Sequence, residues 1–236
     1  MATPIKDILL QVREALGGKS ARTFWTDGEL RAHLTNGVKD LWKAYLDVHG
    51  EHYTKETTEG QVRVVASATE LAGVPEDCFR VQLIEPWDTT GNGSMPDLIF
   101  KPRKYNSSEF SYGRSLGSMD GTGPYVIYYA MAGEGAPVKA PRIKIAPKLS
   151  SNLNVRLVYN PTLTVEDYNP VPGESDFALV AWVIAYARVK ERPDRLPDPG
   201  WLAVYSTEKQ GCLVASTPRQ EHEPEYVEGM FESYGR

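Results

Sequence analysis

Over the first fifty positions, apolar residues recur at spacings of three and four. Ile5, Ile8, Leu9, Val12 and Leu16 share one helical face and Gly17-Gly18 ends the pattern, which predicts a short amphipathic helix. Thr3-Pro4 before it reads as a cap with proline at the first helical position, where no N–H is needed. A longer helix is predicted from about Asp27 to His49, with a stripe of Leu30, Leu34, Val38, Leu41, Trp42, Tyr45 and Leu46. Thr26 and Glu29 have capping-box spacing, hydroxyl and carboxylate each satisfying an exposed backbone N–H, and Trp25 stands where a hydrophobic staple begins.

The middle of the chain changes period. β-Branched and aromatic residues come in short runs between Gly, Pro, Asn and Ser clusters, and predict strands at 61–66, 79–85, 98–102, 125–131, 142–146 and 154–159. Arg142-Ile143-Lys144-Ile145 and Val155-Arg156-Leu157-Val158-Tyr159 alternate between a dry and a wet face, as in antiparallel sheet. Residues 87–96 and 107–124, the latter with Gly113, Gly117, Gly121 and Gly123, read as long loops of the kind that serve a function or order on a partner.

Helical spacing returns near Glu174, with Ser175 or Asp176 as N-cap. Residues 177–187 are apolar on nearly every side, so this helix must be covered all round, by its own domain or by neighbouring subunits. Arg188, Lys190 and Arg192 suit the dipole at its C-terminal end, residues 193–199 break the chain, and a last helix runs from Trp201 to about Val214. The segment 217–236 sets Glu221, Glu223, Glu225, Glu228 and Glu232 among Tyr226, Met230, Phe231 and Tyr234. It has too little apolar surface to fold alone, but carries anchors for shallow pockets on a partner, and is expected to be mobile until docked. The order predicts an α+β fold: a helical bundle formed by N- and C-terminal helices (1–50 and 173–216), an inserted antiparallel β domain (51–172) and an extended C-terminal tail (217–236).

Composition narrows the function. The 236 residues carry a formal net charge of -5 and are 41% hydrophobic, values that argue against general disorder and against a broad basic face for gripping DNA. The longest apolar run falls short of the ~18 residues that cross a bilayer, and Met1 to Asp7 shows no basic and apolar leader, so neither a membrane span nor secretion is expected. Cys78 and Cys212 are too few for a disulfide framework or a thiolate metal site, and are expected to be thiols in a reducing compartment. His33, His49, His52 and His222 lack metal-binding spacing, and no nucleophile elbow, P-loop or dinucleotide fingerprint occurs. Glu166-Asp167 and Asp194 with Asp198 have the chemistry for paired acid/base work but read better as solvated loop charges. No catalytic residue, cofactor or metal is therefore expected. The all-round apolar helix, the long loops and the acidic-aromatic tail are surfaces an isolated monomer satisfies poorly, and together they point to assembly.

Three segments in series carry a family resemblance. They are Trp25-Thr26-Asp27-Gly28-Glu29-Leu30 running into Leu34-Thr35-Asn36-Gly37; Ile143-Lys144-Ile145-Ala146-Pro147-Lys148 with the strand 155–159; and the helix 177–190 with Tyr186-Ala187-Arg188, followed by Ala203-Val204-Tyr205. In this order the chain resembles the head-to-tail adaptor (connector, or head-completion) proteins of tailed bacteriophages, especially those of short-tailed phages. Gly37-Val38-Lys39 departs from a more helix-favouring stretch. The resemblance implies a homo-oligomeric ring, usually of twelve subunits, assembled in the host cytoplasm and placed in the virion neck under the portal protein. Such a ring extends the channel for packaged double-stranded DNA without reading its sequence, helps retain the genome, and offers a platform to tail nozzle or tail-tube proteins and tail fibres. It further implies that Tyr226, Met230, Phe231 and Tyr234 dock on portal or a neighbouring subunit, with Trp25, Leu30, Leu34, Leu41, Trp42, Phe177, Val180, Trp182 and Ile184 packing the bundle and ring body. A tail-tube or tail-completion protein is the second expectation, and a virion hydrolase of cell-wall glycan the third.

Overall fold

The computed structural model describes residues 3–17, 24–87, 98–119, 125–132, 141–171 and 175–215. Among them are five α-helices and two sheets, an α+β composition. The chain divides into two compact units: Met1–Gly37 with Asp167–Arg236, and the continuous stretch Val38–Glu166. The division falls inside the long helix, whose second half joins the second unit: the Trp42 indole donates to the Pro161 carbonyl and Arg80 to the Leu46 carbonyl.

The first unit holds helices α1 (Ile5–Ala15), the first part of α2 (Asp27–His49), α4 (Asp176–Ala187) and α5 (Pro199–Ala215). Pro4 precedes α1 in an extended conformation and bridges Tyr168, so it is not the first helical residue and Thr3 does not cap. The Ile5 N–H, which the helix leaves without an internal acceptor, donates instead to the Asp167 carbonyl at 2.8 Å. Thr3 Oγ1 donates to Asp176 Oδ2 at 2.5 Å, and the Asn169 amide donates to both Ser175 Oγ and Asp176 Oδ1. Ser175 is the N-cap residue of α4 by position, but its side chain serves Asn169 rather than the helix.

α4 packs against both α1 and α5. Its Ala178, Leu179, Val180, Ala181, Val183, Ile184, Ala185 and Ala187 are buried, so its own unit covers most of the surface that its sequence left open. In α5 only Tyr205, Cys212 and Leu213 are buried.

The second unit centres on β8 (Leu153–Pro161). One edge pairs antiparallel with β4 (Cys78–Pro86); the other pairs first with β2 (Val62–Val64), which continues to β3 (Leu71–Ala72), and then with β1 (Lys55–Glu56). A second sheet has the order β5 (Leu98–Pro102), β6 (Tyr125–Ala132), β7 (Arg142–Ala146). Inward residues of the two sheets share one core that includes Val62, Ile84, Phe100, Ile127, Ile145 and Leu157.

Two expectations are corrected here. The stretch 107–124 contains a helix, α3 (Ser108–Ser115), whose N-cap Ser107 accepts a hydrogen bond from the Phe110 N–H. The β-rich unit is also not purely antiparallel, because β5 and β6 run parallel. The two findings have one cause: parallel neighbours need a crossover, and α3 lies in it. The helix covers the outer face of the second sheet, where Phe110 packs on Ala130 and Ala146. Gly113 lies at that approach, where a Cβ would stand 3.2 Å from the Ala146 carbonyl oxygen, tight but within reach of a small shift.

Candidate interaction surfaces

The residues expected to pack the bundle separate between the units. In the first, Trp25, Leu30, Leu34, Val180 and Ile184 are buried. The Trp25 indole donates at 2.8 Å to the Ala187 carbonyl at the C-terminal end of α4. Both capping-box bonds form: Thr26 N–H to Glu29 Oε2 at 3.0 Å and Glu29 N–H to Thr26 Oγ1 at 3.3 Å. Lys190 closes on Glu29 at 2.5 Å, and that bond, with the Thr26 amide, holds the Glu29 carboxyl down to about 2. Trp182 is half-buried and donates to the His33 carbonyl at 3.0 Å, with its ring against Gly37. Gly37 is thus where the indole sits: a Cβ would stand 2.7 Å from Trp182 Cδ1.

Leu41 and Trp42 are buried too, but in the second unit, where the Trp42 indole donates to the Pro161 carbonyl at 2.8 Å. Phe177 does not pack in the bundle as expected; it is 49% exposed. The remaining named anchors, Tyr226, Met230, Phe231 and Tyr234, lie outside the described residues, as does His222.

Of the candidate acid/base carboxylates, Asp194 and Asp198 are engaged, while Glu166 and Asp167 are exposed. Asp194 takes a two-pronged bond from Arg192 that holds its carboxyl down to about 2, and it accepts from the Leu196 N–H. Asp198 accepts from Gly200 and Trp201 N–H at the start of α5 and pairs with Arg188. Asp167 meets α1 through its backbone. Cys78 and Cys212 are buried thiols, and burial, with Asp77 beside it, pushes Cys78 up to about 12, far from a reactive thiolate. His49 and His52 have ring centroids 6.4 Å apart, and no group of three or more metal-binding side chains occurs among the described residues.

The second unit carries an open groove of about 800 Å³, lined by residues 79–82 of β4, Pro102 at the end of β5 with 103–105 after it, and 129–131 of β6. β4 carries register shifts between Cys78 and Arg80 and between Val81 and Leu83, and its Phe79 and Leu83 are exposed. Phe79, Tyr105 and Met131 expose apolar surface there. Arg80, Arg103 and Lys104 supply positive charge. Arg80 is held by Asp47 at 2.5 Å and Arg103 lies 3.8 Å from Glu109, while Lys104 has no ion pair among the described residues. Arg114 stacks over Tyr105 at 5.4 Å. β6 also outruns its neighbour: β5 pairs as far as Pro102 with Tyr129, Arg103 N–H adds one bond to the Tyr129 carbonyl, and the strand continues to Ala132. Sequence reasoning passed over this groove. Its one linear trace is Pro102-Arg103-Lys104-Tyr105, a basic-aromatic run directly after a strand.

No protein-family model matches the chain, and no curated protein matches it. No helix among the described residues is long and apolar enough to cross a membrane.

Proposed function

We propose that this chain is a structural subunit of the head-to-tail adaptor kind: a helical bundle with an inserted β domain that assembles into a ring beneath a phage portal. The observation carrying this reading is that the first and third segments of the resemblance, more than 140 residues apart in the chain, meet in one unit. There the Trp25 indole bonds the last carbonyl of α4 and Lys190 closes the capping box at Glu29. Residues that recur as a series in the family pattern thus serve one joint of the bundle. The role is mechanical rather than catalytic, extending a DNA channel at the virion neck and giving the tail its platform. A chain of net charge -5 around such a passage repels phosphate and lets DNA slide.

Because α4 is already covered by its own unit, the subunit interface falls elsewhere. Neighbours in a ring meet through two different patches, not one patch meeting itself. Mixing purified chain with portal and measuring particle mass, with negative-stain imaging, tests the reading. The expected result is a closed ring on each portal; monomers beside bare portals at micromolar concentration overturn it.

A further inference from the structure

We propose that the β4–β5–β6 groove receives the acidic-aromatic segment 217–236 of a neighbouring copy, so that each subunit is strapped to the next. The proposal takes the neighbour as the source from the ring reading above; the match between groove and segment stands independently of it.

Charge supplies the first argument. Segment 217–236 has five glutamates against Arg219 and Arg236. The groove offers Arg80, Arg103 and Lys104, with Arg114 at its margin. The carboxylates beside these cations are Asp47, on Arg80, and Glu109, near Arg103, which leaves Lys104 and Arg114 without an ion pair among the described residues. Apolar surface supplies the second. Phe79, Tyr105 and Met131 expose flat or flexible side chains at the groove, a surface suited to Tyr226, Met230, Phe231 and Tyr234. The third is the strand edge. β6 runs on to Ala132 beyond the last residue of β5, so an extended segment can continue the pairing that β5 leaves off. Twenty residues reach at most ~70 Å when extended, enough to cross to an adjacent subunit and lie along a strand edge.

Zero-length cross-linking tests this on the full chain. Unlabelled and 15N-labelled protein are mixed before assembly and treated with a carbodiimide, which joins a glutamate carboxylate to a lysine amine where the two touch. Amide links are expected between Lys104 and glutamates of 217–236, with mixed-isotope pairs as frequent as both same-isotope kinds together. Lys104→Arg, which keeps the charge and removes the amine, is expected to abolish that link with no change in particle mass. The double substitution Tyr226→Ser/Phe231→Ser is expected to lower the yield about five-fold or more, as loss of anchor residues does at interfaces. Purely same-isotope links overturn the proposal, as do tail links to other lysines with Lys104 untouched, or a yield indifferent to the double substitution. A ring on portal without the Lys104 link sinks the strap alone. Mixed-isotope Lys104 links without a ring on portal support the strap and sink the adaptor reading.

Discussion

Two glycines in two helices show how differently the units are built. Gly37 in α2 faces an indole, with a missing Cβ 2.7 Å from Trp182 Cδ1; Gly113 in α3 faces a strand, 3.2 Å from the Ala146 carbonyl oxygen. In the helical unit, side chains from remote helices interlock, and three of the joints are polar: Trp25 to Ala187, Trp182 to His33, Lys190 to Glu29. In the β unit a helix lies on a finished sheet, and the fixed points are strand pairings around β8 and β6. A helix–helix joint therefore depends on a few large side chains, whereas the sheet spreads its core over many alternating residues.

The largest effect is expected in the β core. Leu157 is fully buried on β8, the strand that pairs with three others. Leu157→Ala should cost about 2–5 kcal/mol by denaturant unfolding. Hydrogen exchange should show protection falling most in β2, β4 and β8; loss concentrated in α1 and α4 would contradict that placement.

The glycines come next. At Gly37, alanine gains about 1 kcal/mol of helix propensity but forces Trp182 from its seat, for a net loss of about 1–2 kcal/mol. At Gly113 a shift of a few tenths of an ångström suffices, so Gly113→Ala should fall within about 0.5 kcal/mol of neutral. In a Trp182→Ala background the Gly37→Ala penalty should vanish, and a double-mutant cycle showing no coupling would mean that the indole is not the obstacle.

The most local effect concerns the capping box. Thr26→Ala should cost about 1 kcal/mol. The folded Glu29 keeps its charge down to about 2, against an ordinary value of 4.5, because Lys190 and the Thr26 amide bond its carboxylate. Below 4.5 the unfolded chain takes up the proton first, so the stability this lowered value contributes is complete above 4.5 and is lost as pH falls toward about 2. Melting curves of the protein and its Glu29→Gln variant should converge over that window; a gap that stays constant would show that the bond with Lys190 does not act through charge.

Much of the helical unit was legible, because a helix writes its buried face into local spacing. Ile5, Ile8, Leu9 and Val12 are buried as their period requires, and the Thr26–Glu29 box forms as its spacing predicts. Most strands were also visible, those at 142–146 and 154–159 through alternation. α3 was not, since Ser-Glu-Phe-Ser-Tyr-Gly-Arg-Ser has only Phe110 as a buried large side chain, and Gly113 looks like a loop residue until Ala146 is beside it. The groove was hidden for a similar reason. It depends on register shifts in β4 and on where β5 stops relative to β6, and neither is a property of any one segment.

By itself, then, the sequence determined most of the helical and extended stretches and which face of most of them is dry, since periodicity and capping act within a few residues. Only the tertiary structure decided what covers each face. It enclosed α4 within its own unit, divided α2 between two units, left Phe177 exposed, and set β5 parallel to β6. Those outcomes depend on contacts between residues far apart in the chain, and an apolar side chain gains from burial whichever neighbour removes it from water.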